Sequence, residues 1–404
     1  MKYFTRILLV FFSITIAYFL GEGDKNLFLI LLMSCTPMLY FSRLSSVDSI
    51  DLCLLLLVLW LFFAGYVIHK ESFRFLSYLY TLCFVFSFLY FKQSIGYKDI
   101  RPKLFRKIIR GIIIAYFFVL VVQQLCVLAG LPIFNQISSW DNKFKLAALS
   151  PEPSHLARYM FFLICCYVIT TEKMIGRPFR YADMGKDKLI WVSYFWAMLS
   201  CQSVTAILLC FVIFFRRINV WVLLFGVVGL LLLAEIVEAS FLHNSELVDR
   251  ISAIFDLKSF NIHSINNVDH SMAHRFLPVL TFWDNIDVKS FDFWIGKGMD
   301  AGTSYFSNQM YVISGDLQYL ESKTSIGGIF SFILDFGIIS FGILIFPIYK
   351  IFRYQKDLFL PLAWISLNLF SSLNTQFFWF SLVISLYIIT LKKKHGNIYH
   401  NRYI

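Results

Sequence analysis

Residues 51–68 have the sequence DLCLLLLVLWLFFAGYVI, and this stretch decides the fold class. Asp51 is its single charged residue. A helix needs about 20 predominantly apolar residues to cross about 30 Å of hydrocarbon, and this stretch comes close to that length. It lacks the alternation over about ten residues that marks a strand of a membrane β-barrel. We therefore predict a transmembrane α-helix.

Similar apolar runs cover most of the chain. The 404 residues are 58% hydrophobic and 15% charged, and the mean hydropathy is +0.69, so a water-soluble core is excluded. The predicted fold class is all-α, a polytopic membrane protein of about twelve transmembrane helices. The predicted spans are residues 5–21, 26–41, 51–68, 73–91, 108–130, 153–171, 189–201, 203–216, 218–240, 325–350, 358–372 and 376–391.

One long polar stretch divides this bundle. Residues 1–240 are predicted to form its first part, with an outward motif at 150–158. Residues 241–324 form a large extracytoplasmic loop that contains short helices, and residues 325–404 form the last part of the bundle and a cytoplasmic tail. The connection 131–152 and the large loop are both expected to face outward, and chemistry is expected on that side.

Clusters of Lys and Arg predict the orientation. A cytoplasmic N-terminus places all the clusters inside, as the positive-inside rule requires; they lie at residues 43, 92–110, 173–188, 216–217, 350–356 and 392–394. Residues 189–215 leave an alternative, because one long tilted helix there would reverse every later span. Two short helices that turn at Cys201-Gln202-Ser203 keep the clusters inside and are preferred. Both termini are then cytoplasmic.

Composition also bounds the partners and cofactors. The net charge of +11 is explained by short loops beside anionic lipid headgroups, so no nucleic acid is predicted. All eight cysteines lie in apolar segments, which predicts neither a disulfide framework nor a thiolate zinc site. His270 and His274, with His243 or His263, leave a zinc site open, but no HExxH pattern occurs. We predict no metal and no cofactor.

Polar residues inside the apolar runs concentrate on the predicted outer side. Gln123, Gln202 and Gln376 are examples, and we expect them to line an outward-opening polar cavity. The alternative is that such amides bond between helices. Asp335, about ten residues into its span, costs about 2.5 to 3.5 kcal/mol at such a depth and is expected to face protein or water. Gly337 beside it would ease close helix approach.

The sharpest constellation is SPEPSHLAR at residues 150–158. Ser150 is expected to cap a helix whose first turn accepts both prolines, and Glu152 complements the positive end of the helix dipole. Steps of three place Glu152, His155 and Arg158 on one stripe, so an acid, an imidazole and a guanidinium can converge at the membrane surface. The alternative is that Glu152 only caps and Arg158 only reaches the interface.

The large outer loop contains two further candidate elements. DHSMAHRFL at 269–277 predicts a capped amphipathic helix with Phe276, Leu280 and Trp283 on its apolar face. Arg275 would then address the headgroup zone, where its guanidinium suits a lipid-linked diphosphate; the alternative is an anchor to lipid phosphate. WIGKG at 294–298 predicts a turn whose amides and Lys297 can help to hold phosphate.

The run EPSHLA at 152–157, after an external connection and at the head of a span, resembles a motif of Wzy-type O-antigen and capsule repeat-unit polymerases. The resemblance extends to the large outer loop, to the helical segment with Arg275, to WIGKG at 294–298 and to DFG at 335–337. It covers the architecture of nearly the whole chain and the sequence only in patches.

This resemblance implies metal-independent glycosyl transfer at the outer face of a bacterial inner (cytoplasmic) membrane. An acceptor hydroxyl would attack the anomeric carbon of a growing glycan on undecaprenyl diphosphate, and the diphosphate would leave. Such chemistry needs a base near the hydroxyl and cations on the departing diphosphate. The implied partners are undecaprenyl-diphosphate-linked glycans, membrane lipids, a repeat-unit flippase and a chain-length regulator.

The site residues follow from these roles. Glu152 or His155 is the expected base, and His274 is a second choice. The expected catalytic residues are Glu152, His155, Arg275 and His274. The expected substrate- and diphosphate-binding residues are Arg158, Lys297, Gln123, Gln202 and Arg250.

Two alternatives stay open. An O-antigen ligase of the same superfamily should have a His at the start of the span after the large loop, where residues 321–326 read ESKTSI. A polysaccharide flippase or other transporter would also suit a polar outer half. No internal repeat of the kind found in many transporters is visible, and transport does not require so large an outer loop.

Overall fold

The computed structural model is all-helical and contains no strand in the residues that it describes. These residues are 2–14, 33–42, 47–70, 73–96, 101–133, 135, 146–150, 152–201, 206, 209–210, 266, 273, 277, 279–280, 282, 287–299, 301–314, 328–353, 358–368 and 375–400. In chain order the helices are α1 (Lys2–Phe12), α2 (Thr36–Ser42), α3 (Ser49–Phe62, continued by a π-helix over Phe63–Ile68), α4 (Phe75–Gly96), α5 (Pro102–Leu128), α6 (Pro153–Ile175), α7 (Tyr181–Met184, followed by a 3-10 turn over Gly185–Asp187), α8 (Lys188–Ser200), α9 (Phe291–Ile295), α10 (Ala301–Ser314), α11 (Ile329–Phe352), α12 (Phe359–Asn368) and α13 (Gln376–His400).

Several of these helices are membrane spans by length and composition. Within the described residues, five are long and apolar enough to cross a membrane: Ser49–Ile68, Phe75–Ser94, Pro102–Leu128, Pro153–Ile175 and Ile329–Phe352. Two shorter apolar helices, Phe359–Asn368 and Gln376–Leu391, follow them. The prediction of an all-helical membrane protein is confirmed. The total of about twelve spans stays a prediction, since the span at 218–240, most of the span at 203–216 and parts of the spans at 5–21 and 26–41 lie outside the described residues.

The ends of the spans have local causes. α3 begins with a capping box, in which the Asp48 side chain accepts from the Asp51 amide and the Asp51 side chain accepts from the Asp48 amide. α5 begins at Pro102, earlier than predicted, because proline fits the first helical position. α6 ends at Gly176, whose φ of 73° gives the left-handed conformation that glycine adopts without strain.

Helix directions follow from pairs of contacts. Arg106 lies 5.7 Å from the ring centroid of Tyr167, and the rings of Tyr116 and Tyr159 are 6.0 Å apart. The chain therefore runs in opposite directions in α5 and α6, as the alternating topology predicts. The membrane side on which each end lies stays a prediction.

One contact of α8 favours the preferred turn over one long tilted helix, although residues 202 and 203 of that turn lie outside the described residues. α8 ends at Ser200, and the Tyr194 hydroxyl donates to the Leu209 carbonyl at 3.3 Å across 15 positions of sequence. In a continuous helix those residues would be about 22 Å apart, so the chain reverses between them. α8 itself runs parallel to α5, since Arg110 pairs with Asp187 at 3.0 Å near one end of the two helices and Gln124 donates to the Ser200 hydroxyl at 2.9 Å near the other.

A buried ion pair joins the ends of three helices. Lys92 Nζ lies 2.5 Å from Asp51 Oδ1, whose side chain is 1% exposed, and 2.7 Å from Asp48 Oδ2. Lys350, near the end of α11, donates to the Ser49 hydroxyl. A buried carboxylate is tolerated only with such partners. These groups lie at the end of the bundle that the sequence assigns to the cytoplasmic side.

Candidate functional site

The predicted motif forms the head of α6, and Glu152 occupies the N-cap position. The prediction that Ser150 caps this helix is wrong, because the helix begins at Pro153 and the first-turn amides of His155 and Leu156 donate to the Glu152 carbonyl. The Glu152 carboxylate makes no capping hydrogen bond. It is exposed, and the Ser154 hydroxyl donates to its Oε2 at 3.3 Å. The carboxylate therefore faces outward from the helix end instead of being used within it.

His155 and Arg158 follow on the same helix. Both side chains are partly buried, and each takes part in at least one further interaction. Their spacing of three places them on the stripe that begins at Glu152. The structure thus keeps the acid, the imidazole and the guanidinium on one helix, with the acid exposed and the other two partly buried beneath it.

The connection before α6 is held by two amide side chains, which we call the amide clamp: Gln123 and Asn135 acting on Ala148 and Ser150. Gln123 is 1% exposed; its Nε2 donates to the Ala148 carbonyl at 3.2 Å, and its Oε1 accepts from the Ala148 amide at 2.9 Å. Asn135 Nδ2 donates to the carbonyls of Ala148 and Ser150 at 2.9 and 3.1 Å. The sequence predicts Gln123 as a substrate contact, whereas Asn135 and Ala148 were missed.

The two distant motifs WIGKG and DFG meet in what we call the loop joint, formed by residues 294–298 and 334–337. Gly337 has φ 75° and ψ 173°, so α11 is broken there. In an unbroken helix the carbonyls of Leu334 and Asp335 would accept from residues 338 and 339. Here they accept instead from the amides of Lys297 and Gly298, at 2.8 and 3.0 Å. The turn after α9 thus provides the donors for the broken span.

Glycines make this close approach of two backbones possible. A Cβ on Gly337 would overlap the Trp294 carbonyl and lie 2.5 Å from the Ile295 nitrogen. A Cβ on Gly296 would overlap the carbonyl of Asp335. The predicted close approach at Gly337 is confirmed, but its partner is the 294–298 turn and not another span.

The Asp335 side chain of α11 binds the first turn of the preceding helix, α10. Its Oδ1 accepts from the Gly302 amide at 2.6 Å, in the first turn of α10, where a carboxylate satisfies a free amide and the positive end of the helix dipole. Asp335 was expected to face protein or water, and the structure gives its carboxylate a partner in the protein. Lys297 remains at the surface of the joint with its side chain 48% exposed, 3.8 Å from Asp292 and 5.7 Å from the ring centroid of Tyr305. The backbone of Lys297 is therefore fixed by its bond to Leu334, while its side chain stays accessible.

Two described residues of the predicted outer loop pack on α10. Ala273 and Leu277 are helical and buried, and they form a small core with Phe306 and Met310, against which Leu334 packs. Their spacing of four places them on one face of a helix, which fits the predicted amphipathic segment. The predicted site residues Gln202, Arg250, His274 and Arg275 lie outside the described residues. Among the described residues, no group of three or more His, Cys, Asp or Glu side chains is placed to hold a metal ion.

No protein-family model, curated protein or solved structure matches the chain. The class that fold and composition define is a helical, multi-span membrane protein.

Proposed function

We propose that this protein polymerises undecaprenyl-diphosphate-linked oligosaccharide repeat units into O-antigen or capsular polysaccharide at the outer face of a bacterial cytoplasmic membrane. The observation that carries the proposal is the Glu152 carboxylate, which is exposed at the head of a membrane span and makes no capping bond. An acid at an N-cap usually accepts from the free amides of the first turn. Glu152 leaves its carboxylate available for a proton.

The proposed reaction transfers one proton to a side chain of this protein and releases undecaprenyl diphosphate. An acceptor sugar hydroxyl gives its proton to Glu152 while its oxygen bonds to the anomeric carbon of the growing glycan. The bond from that carbon to the diphosphate breaks, and the undecaprenyl diphosphate leaves with the electron pair. General-base assistance of this kind contributes roughly 10²- to 10⁴-fold to a rate. His155 is the alternative base on the same helix.

Cations are needed where the diphosphate departs, because negative charge develops there. Arg158 lies on the same stripe as Glu152, and Lys297 is presented by the loop joint with about half of its side chain exposed. Arg275 completes the proposed set, supported by the packing of Ala273 and Leu277 of the same segment onto α10. The proposed substrates are bulky glycans, which suits a site open to the outer face.

The test compares the surface glycan of cells that carry Glu152→Gln with that of wild-type and deletion cells. We expect single-repeat glycan in place of long chains, at normal abundance of the protein in the membrane. Asp287→Asn is the matched control, because Asp287 is an exposed carboxylate whose turn bond to the Lys289 amide asparagine can also accept. This control should keep the wild-type ladder. Unchanged long chains in Glu152→Gln would remove Glu152 from the mechanism, and loss of even the single repeat would indicate ligation or transport.

A further inference from the structure

We propose that Gln123 is a positioning residue, which sets the geometry of Glu152 through the Ala148 backbone and does not touch the glycan. This inference rests on the proposed function, because it concerns the step in which Glu152 takes a proton. It gives Gln123 a role different from the substrate contact that its place in the sequence suggests.

The two-point contact of Gln123 carries the argument. One carboxamide engages both the amide and the carbonyl of Ala148, at 2.9 and 3.2 Å. A single bond fixes the distance of a peptide group, whereas two bonds to the same residue also fix its orientation. Gln123 is 1% exposed, so both of its polar groups need such partners. A buried amide committed in this way has little capacity left for a sugar hydroxyl.

The conformation of Ala148 shows that this constraint is needed. Its φ is 51°, in the left-handed region that residues with a Cβ rarely adopt. Such strain persists only where the surroundings over-determine the backbone, and it clusters at functional sites. Gln123 and Asn135 together provide that determination. The whole segment 146–150 is buried.

The clamp acts on Glu152 because the chain between them is short. Asn135 also donates to the Ser150 carbonyl at 3.1 Å, and Glu152 is two residues further on. From there α6 fixes the chain on the other side, since the Glu152 carbonyl accepts from the amides of His155 and Leu156. With no capping bond of its own, the Glu152 carboxylate takes its position from the backbone on its two sides and from the Ser154 hydroxyl on the same helix.

The experiment measures extension of lipid-linked repeat units by the purified protein in lipid bilayers. Gln123→Leu should lower kcat roughly 10- to 100-fold, as expected when a catalytic group is displaced by about 1 Å, and leave KM within about twofold. Gln124→Leu is the matched control. Gln124 is the adjacent residue of the same type, but it bonds to Ser200 and Trp196 between α5 and α8, so its loss should change kcat less than about threefold.

A double-mutant comparison separates positioning from general structure. If Gln123 acts through Glu152, Gln123→Leu should cause no further loss of the residual rate in a Glu152→Gln background, because coupled residues are non-additive. The conservative Gln123→Glu presents the same donor and acceptor in its protonated form. Its kcat relative to that of the wild type at the same pH should rise as the pH falls and decrease as the pH rises, because burial favours the neutral carboxyl group.

The outcomes are distinguishable. Wild-type protein that extends no lipid-linked unit would overturn the proposed function itself. Wild-type extension with an unchanged kcat in Gln123→Leu, or a rise in KM alone, would overturn only the positioning role. Should Gln123→Leu fail to accumulate in the membrane, Asn135→Gly replaces it, because glycine adopts the φ of 58° at this position without strain. That variant removes two of the four bonds and should give a smaller loss, again in kcat alone.

Discussion

Replacing Gly337 with alanine should open the loop joint. Gly337 has φ 75° and ψ 173°, a region that is essentially restricted to glycine and costs about 1–3 kcal/mol for other residues. The added Cβ would also overlap the Trp294 carbonyl and lie 2.5 Å from the Ile295 nitrogen. Both are backbone atoms, so neither can move unless the turn leaves the broken span. Undocking would let the chain become helical through position 337 and would remove strain and overlap together.

The free energy needed to open the loop joint can be estimated from the three hydrogen bonds across it. The amides of Lys297 and Gly298 donate to the carbonyls of Leu334 and Asp335, and each such bond contributes about 1 kcal/mol. The bond from the Gly302 amide to the Asp335 carboxylate contributes about 2 kcal/mol, because it involves a charge. A holding free energy of about 4 kcal/mol keeps the open state near 0.1%. Strain and overlap of about 3 kcal/mol should raise the population of the open state roughly 100-fold, to about 10%.

Limited proteolysis in lipid nanodiscs measures this opening, because cleavage follows the population of the open form when opening is fast. Tryptic cleavage after Lys297 should be about 100-fold faster in Gly337→Ala than in the wild type. Gly342→Ala is the matched control on the same helix, since a Cβ there meets no atom within 4 Å; its cleavage rate should not change. Equal rates in the wild type and Gly337→Ala would refute the reasoning, as would equal acceleration in the two glycine variants.

Three further predictions concern other parts of the structure. Ala148→Gly should raise the thermal midpoint by a few degrees, because glycine adopts φ 51° without the cost of about 1–2 kcal/mol that alanine bears; a lower midpoint would contradict the strain. Lys92→Met should cost about 3–5 kcal/mol, since it leaves the buried Asp51 carboxylate unpaired, and Lys92→Met with Asp51→Leu should recover most of that loss in the same melting assay. Hydrogen bonds from Arg177 lower the pKa of Asp183, so their contribution is complete above the ordinary carboxyl pKa of about 3.9 and is lost as the pH falls below it. The opening free energy of residues 177–187, measured by hydrogen exchange and corrected for the intrinsic exchange rate at each pH, should therefore be constant from about pH 5 to 8. It should decrease only in acid.

The membrane spans could be predicted from the sequence where the bilayer determines the length and composition of a helix. The run at 51–68 became a helical stretch over Ser49–Ile68, because a bilayer demands about 20 apolar residues in a helix. The error at α5 has the same origin. Hydropathy placed its start at residue 108, whereas the helix begins at Pro102, since basic turns continue a helix beyond the hydrocarbon and hydropathy measures only the apolar part.

Side-chain partners were less predictable, because they depend on helix rotation and on contacts distant in sequence. Gln123 was expected to line an outward-opening cavity or to bond between helices, whereas it is 1% exposed and bonds to Ala148, 25 positions away in a connection without periodicity. Asn135 has φ 58°, and asparagine is among the residues that tolerate this conformation. That property was the one available signal for the second half of the amide clamp.

Asp335 shows how a partner decides a role. From its depth in a span the sequence could establish that its carboxylate needs protein or water, and an intramembrane acid is by default a candidate for function. In the structure that carboxylate accepts a hydrogen bond from the Gly302 amide at 2.6 Å, and the backbone carbonyl of Asp335 accepts one from the Gly298 amide. A carboxylate that already binds the first turn of a helix is a poor acceptor for a substrate proton, because protonation would remove the charge that strengthens its bond to the Gly302 amide. Glu152, exposed and without a capping bond, has no such competing role. The two acids are therefore expected to respond differently to amide substitution: Asp335→Asn keeps an acceptor for Gly302 and should retain chain extension, whereas Glu152→Gln should lower its rate roughly 10²- to 10⁴-fold.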